Sequence, residues 1–274
     1  MNEFLPNEYD EIIHRLALGI EPIDGQQGRR LSYELQIQHE ETLAGLRRPP
    51  IERHHSNLFS LRYQPGIKSP LALRMFDTEK PSYKPEYDRR RVVPRRFLIP
   101  VLTRSAVENQ ERADRREFRR RIRRPVFFAG AAYDLSATAT ALRGRVWRNN
   151  QPMRWARVVA RLAGQTLVLG RAHGDNRGEF LLILNARAVT GSTLPQPLNV
   201  DVSISGPVPV PAPASPNQEK TDPLWDLPVE TLAAPGSASD SVATGEDLPA
   251  NYTATIVPTV AFTLGRCIYR EFTI

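Results

Sequence analysis

The chain has five histidines, at positions 14, 39, 54, 55 and 173, and one cysteine, Cys267; these bound the metal and nucleophilic chemistry open to it. The pair His54-His55 beside Glu52 comes nearest to a ligand set. Adjacent residues on a strand point to opposite faces, however, which argues against joint ligation. His173 and Asp175 flank a glycine in what reads as an exposed turn. The chain holds no His-Glu-x-x-His or His-x-x-Glu pair, no Gly-Lys phosphate loop and no Gly-x-Ser-x-Gly elbow. The residue patterns of zinc hydrolysis, Walker-type phosphate binding and serine acyl transfer are therefore missing. The expectation is a protein with no catalytic residues, no metal and no cofactor.

Arginine supplies the remaining chemistry. Only Lys68, Lys80, Lys84 and Lys220 are lysines, so arginine carries nearly all the positive charge. Between Arg89 and Arg124 stand 14 Arg against Glu108, Glu111, Asp114 and Glu117, a local 14 − 4 = +10 within a chain of net +7, which leaves −3 elsewhere. Residues 104–124 lack Gly and Pro and suit a helix, but Val107, Phe118 and Ile122 are their only large apolar side chains. Such a helix can neutralise phosphates, dock on an acidic protein face, or stay solvated. No aromatics are interleaved and no nucleic-acid motif accompanies it, so protein docking ranks first.

The elements that would position these groups are mostly β. From Ala141 to Leu184, apolar residues recur at every second place in four short runs: Leu142-Gly144-Val146, Ala156-Val158-Ala160-Leu162, Leu167-Leu169 and Phe180-Leu182-Leu184. Asn149-Asn150-Gln151-Pro152, Ala163-Gly164-Gln165 and His173 to Gly178 punctuate them. Period-two burial broken by turn residues describes antiparallel strands with one solvated face. Leu198 to Ile204 alternates as a fifth strand, and Tyr252–Leu264 and Cys267–Ile274 read as the last ones. Asp175 is placed to cap turn amides and Gly178 to take a positive φ.

These residues carry a resemblance. Gly144-x-Val146, Gln151-Pro152, Ala156-x-Val158, Arg171-Ala172 and Asp175-x-x-Gly178-x-Phe180 resemble the carboxypeptidase regulatory-like (transthyretin-like) domain over about a quarter of the chain. The chain departs from that pattern at Asn150, where Gly is usual, and at His173-Gly174, where Thr often stands. The resemblance implies a small β-sandwich that binds or scaffolds. The zinc peptidase site often found beside that domain has no counterpart here.

The remaining chain divides around this block. Residues 1–102 read as an N-terminal extended arm and β region: a short helix from Asn7 to Leu18, strands at Leu31–Ile37, Leu58–Tyr63 and Leu71–Asp77, and Val92–Val101 as an edge strand or arm because of its prolines. A turn is expected at Pro65-Gly66 and an exposed loop at 79–91. Residues 103–136 form the Arg-rich helical spacer. Residues 137–274 form the sandwich, with a Pro-rich insertion at 206–250 whose second half, 232–250, reads as a flexible loop. The acidic first twenty residues lack a basic region ahead of an apolar run, and no stretch reaches membrane-spanning length. Cytoplasmic synthesis follows as an expectation, with later release in a particle left open.

Isolated strands with little core of their own need a covering surface, and Leu71, Leu73, Phe76, Phe97 and Ile99 exceed what one sandwich can hide. A second resemblance enters here: Leu58–Asp77 and Arg89–Val101, ahead of a regulatory-like sandwich, look similar to accessory proteins of contractile injection systems. It implies a cap or terminator subunit of a phage-tail-like particle. The expected partners are tube, sheath or cap subunits and further copies of the chain. Arg95, Arg96, Arg119, Arg120 and Arg123 are the expected interface cations, with Phe97 and Ile99 as anchors. The alternative is a monomeric carbohydrate- or protein-binding module that uses Trp147, Trp155 and Trp225. A basic nucleic-acid accessory protein stands third.

Overall fold

Alternating burial along short strands makes this a mostly β protein, with 40% of residues in strands and 10% in helices. The computed structural model describes residues 15–40, 50–64, 67–77, 89–113, 117–185 and 197–274. The Pro65-Gly66 turn, residues 7–14 of the expected first helix and most of the expected loop at 79–91 lie outside these residues.

In chain order the front half contributes β1 (Leu16–Ile20), β2 (Ile23–Asp24), β3 (Leu35–His39), β4 (Glu52–Arg53), β5 (Phe59–Arg62), β6 (Leu71–Asp77) and β7 (Arg95–Ile99). Helix α1 (Arg104–Ala113), a 3₁₀ turn at Glu117–Arg121, β8 (Ile122–Arg123) and β9 (Val126–Phe127) follow. Leu16–Leu18 is thus strand where a helix is expected, because four of the five β1 residues are buried. The Arg-rich segment is not a spacer. Its helix is described over Arg104–Ala113, and β8 and β9 pair in parallel with β1 and β2. Ala17, Leu18, Ile20, Leu35, Phe59, Leu61, Leu73, Met75, Phe97 and Ile99 close into a core of their own.

The back half holds β10 (Ala141–Arg148), β11 (Gln151–Pro152), β12 (Arg157–Leu162), β13 (Val168–His173), β14 (Glu179–Ile183) and β15 (Leu198–Gly206). Then come α2 (Gln218–Thr221), β16 (Val229–Thr231), α3 (Ser241–Thr244), β17 (Ala254–Ile256), β18 (Thr259–Phe262) and β19 (Cys267–Thr273). Two sheets face each other across a second core that contains Leu142, Val146, Val158, Leu182, Val202 and Phe262. One runs β14-β10-β19, with β11 extending the β14 side; the other runs β13-β12-β15, with β17 and β18 in tandem beyond β15.

The residues of the expected pattern have local physical roles. Gly144 sits opposite Phe180 in the β10–β14 register, and a Cβ there would fall within the Phe180 ring. Glycine at 144 therefore gives the phenyl group its seat. Asn149 and Asn150 both take positive φ, 49° and 60°, the twist a two-residue hairpin needs. Gly178 has φ 75°, and Asp175 Oδ1 accepts the backbone N–H groups of Arg177 at 2.8 Å and Glu179 at 3.0 Å. Both turn roles expected from the sequence are present.

The segment after the proline-rich connector joins the halves. β16 pairs in parallel with β7, so β7 lies inside the order β16-β7-β6-β3 and is neither an edge nor an arm. Leu232 and Ala243 enter the front core, and Asp240 caps α3 by accepting the Ala243 N–H at 2.9 Å. Residues 229–245 are a built strap, not the flexible loop their composition suggests. Burying Leu232 alone contributes about 1.5–3 kcal/mol.

Candidate functional site

The seven expected interface residues do not form one surface. Phe97 and Ile99 are wholly buried in the front core. Arg95 is also fully buried. Its five N–H donors are all used: Nε and Nη2 meet Glu230 at 3.1 and 2.5 Å, Nη2 also reaches Val242 O at 2.5 Å, and Nη1 reaches Val126 O at 2.6 Å and Ala243 O at 2.8 Å. Arg123 is buried, and its Nη2 donates to Ala233 O at 2.9 Å. Arg96 is half-buried and binds Glu40 at 2.6 Å. Only Arg119 and Arg120 are exposed. The physical reason for the correction is the strap: Glu230, Val242 and the carbonyls at 233 and 243 supply within one chain the counter-surface expected from a second.

The centre of this contact is a buried charge cluster. Arg157 Nη2 joins Glu230 Oε1 at 3.1 Å, so one carboxylate serves two guanidinium groups, with side chains 0%, 2% and 4% exposed for Arg95, Glu230 and Arg157. Burial raises the carboxyl's proton affinity, but Arg95 and Arg157 together outweigh it and hold the Glu230 pKa below the ordinary value. Tyr252 donates its hydroxyl to Trp155 O at 2.8 Å, and burial pushes its pKa up to about 12. His173 stacks on Phe128 with centroids 3.9 Å apart. Burial first, then Arg157 and Arg95, drive the His173 pKa well below its usual range. His173 and Asp175 are thus interior groups, not the exposed pair the turn composition suggests. Among the described residues Arg157 Nε and His173 Nδ1 meet no hydrogen-bond partner, and the joint is held closed by the shared Arg95–Glu230–Arg157 contact.

Other expected chemistry separates in space. His54 and His55 lie in a turn with rings 3.8 Å apart, and His54 Nδ1 is hydrogen-bonded to Ser56 Oγ at 2.7 Å. Among the described residues no three His, Cys, Asp or Glu side chains converge as metal ligands. Trp155 is buried with Leu224 and Leu227, and its Nε1 donates to Asp226 Oδ1 at 2.7 Å. Next to it, a cleft of about 220 Å³ opens between Arg148, Asn149, Gln151–Trp155, Pro207, Val210, Pro211 and Tyr252.

The open feature of the surface is β19. Among the described residues it pairs with β10 alone, in parallel from Ala141↔Cys267 to Trp147↔Thr273. The Ala141 N–H donates to Arg266 O at one end, and the Ile274 N–H donates to Trp147 O at the other. In a parallel ladder this phase turns the backbone groups of Ile268, Arg270 and Phe272 towards β10. Those of Cys267, Tyr269, Glu271 and Thr273 then point outward, a free row along the edge. The opposite flank of the sandwich is closed, because β13 meets β14 where the Asn185 N–H donates to Leu169 O at 2.7 Å. The sheet with β17 and β18 is one strand position wider, so its surplus lies on the β19 side. Ile256, Leu264 and Ile268 are only partly buried there, and Val257 is 57% exposed. The sequence placed the final strand but gave no sign that its edge would stay open. Sheet order alone decides that.

In comparison with known proteins, the chain matches no family model and no curated protein. Among the described residues no helix is long and apolar enough to cross a membrane.

Proposed function

We propose that this chain is a non-enzymatic structural subunit of a multi-chain assembly and joins its neighbours by strand addition at β19. The observation that carries the reading is the seven-residue edge Cys267–Thr273, with one row of backbone groups unpaired and a shelf of half-buried apolar residues beside it. Main-chain bonds along such an edge give affinity, and side-chain pockets give selectivity. The transthyretin-like resemblance agrees with a scaffolding sandwich. A place at the cap or terminator of a contractile tail-like particle, among tube, sheath and cap subunits, rests on the resemblance of Leu58–Asp77 and Arg89–Val101 alone. The interface has moved from the Arg-rich segment, whose cations Arg95, Arg121 and Arg123 are buried inside the molecule.

The test is a backbone lesion. Proline at 271 removes an N–H that faces away from β10, so Glu271→Pro leaves the β10 ladder whole. Light scattering and co-expression with candidate tube, sheath and cap proteins are expected to give a complex with the natural chain and none with the variant, at equal melting temperatures. A natural chain that stays monomeric under every pairing, or a variant that assembles normally, refutes the reading. A monomeric binding module is the second reading, favoured by the cleft beside Trp155 and Tyr252. A monomer with saturable glycan binding lost on Arg148→Ala would establish it.

A further inference from the structure

The edge strand also carries information about what pairs with it. Resting on the strand-addition reading above, we infer that the partner is a strand of a different chain with an acidic residue between two apolar ones, set against Arg270. Side chains alternate, so Ile268, Arg270 and Phe272 share the face of β19 turned towards the sandwich interior. Phe272 is buried in the core and Ile268 is packed against it, yet Arg270 between them is exposed. Opposite Arg270 on β10 is Gly144, over which the Phe180 ring lies, so the row Phe180–Gly144–Arg270 fills the interior from one side and ends in a cation at the rim. Among the described residues Arg270 has no carboxylate partner. On the outer face Glu271 is already engaged, accepting the Tyr269 hydroxyl at 2.7 Å.

Those positions define the complement. A strand laid along the free edge would cover Ile256 and Leu264 with its interior-facing side chains. Apolar residues suit the places beside Ile268 and Phe272, and Asp or Glu suits the place beside Arg270. The same cation disfavours a second copy of this chain. The two-fold antiparallel register that uses the whole edge pairs Cys267 with Thr273 and Tyr269 with Glu271, and so sets Arg270 directly against its own copy. Like charges directly opposite are destabilising, and an inward-pointing charge on an edge strand is a guard against self-addition. The site selects a heterologous acidic strand.

Labelled heptapeptides that alternate threonine and valine, blocked at both ends, provide the probe: one with a central glutamate, one with a central lysine. Fluorescence anisotropy with the full chain is expected to show the glutamate peptide binding about tenfold tighter than the lysine peptide. Arg270→Glu should reverse that order. N-methylation of the glutamate peptide at the amides that face β19 should abolish binding. Equal affinities, an order unchanged by Arg270→Glu, or binding that survives N-methylation would overturn the inference, as would no binding by either peptide. The two proposals fail separately. A chain that passes these peptide tests but enters no complex on co-expression refutes only the subunit reading. A chain whose complex is lost with Glu271→Pro but unaffected by Arg270→Glu refutes only the acidic partner.

Discussion

Replacing Glu230 with Gln probes the joint between the two halves most directly. The variant keeps the shape of the side chain and removes the only carboxylate that Arg95 and Arg157 share. Two guanidinium groups then stay charged in a site where Arg95 has no solvent exposure. Breaking a buried pair by removing one partner costs about 3–5 kcal/mol, because the surviving charge has lost both water and counter-charge. With a urea m-value of about 3 kcal/mol/M, the unfolding midpoint should fall by about 1–1.7 M. Trp155 fluorescence is a suitable readout, since the Trp155 carbonyl accepts a hydrogen bond from Arg157 at 3.2 Å. The order of effects is also fixed. Arg157→Met leaves the two-point Arg95–Glu230 contact intact and should cost least. Arg95→Met leaves Glu230 with Arg157 alone and removes the donors to Val126 O, Val242 O and Ala243 O, so it falls between. A midpoint shift below about 0.3 M for Glu230→Gln, or a larger shift for Arg157→Met, would refute the assignment of Glu230 as the keystone.

Acid should loosen the same joint in two stages. The His173 pKa in the folded chain lies well below 6.5, so the unfolded chain binds a proton first and stability falls as pH drops below that value. His173→Gln should flatten the urea midpoint between about pH 7 and pH 5.5, while an unchanged slope would remove His173 from the account. Glu230 is also depressed, from 4.5, so its contribution is present above that pH and is lost as pH falls further through the folded value. Within the sandwich, Gly144→Ala puts a methyl group into the Phe180 ring and should cost about 1–3 kcal/mol, seen as a lower melting temperature. Adding Phe180→Leu should recover part of that loss; a neutral Gly144→Ala would remove the glycine's assigned role.

The sequence by itself determined the strands and the local chemistry of their turns. Alternation placed β6, β10, β12, β14 and β15 within a residue or two, because the two-residue period survives whatever covers the strand. Asp175, Gly178 and the Asn149-Asn150 pair could be read because a positive φ or an amide cap is set by a few neighbouring atoms. Only the tertiary structure decided what covers what. Arg95 and Arg119 belong to the same arginine-rich stretch, yet one is sealed and the other is in solvent. That difference comes from residues 229–245, more than a hundred positions away, whose Ala- and Ser-rich composition resembles a loop. Glu230 alternates with nothing and announces no partner, and the final strand looks the same in sequence whether its edge is covered or bare. Burial of a charge and openness of an edge depend on which distant segment arrives beside them, and a local residue pattern carries no record of that arrival.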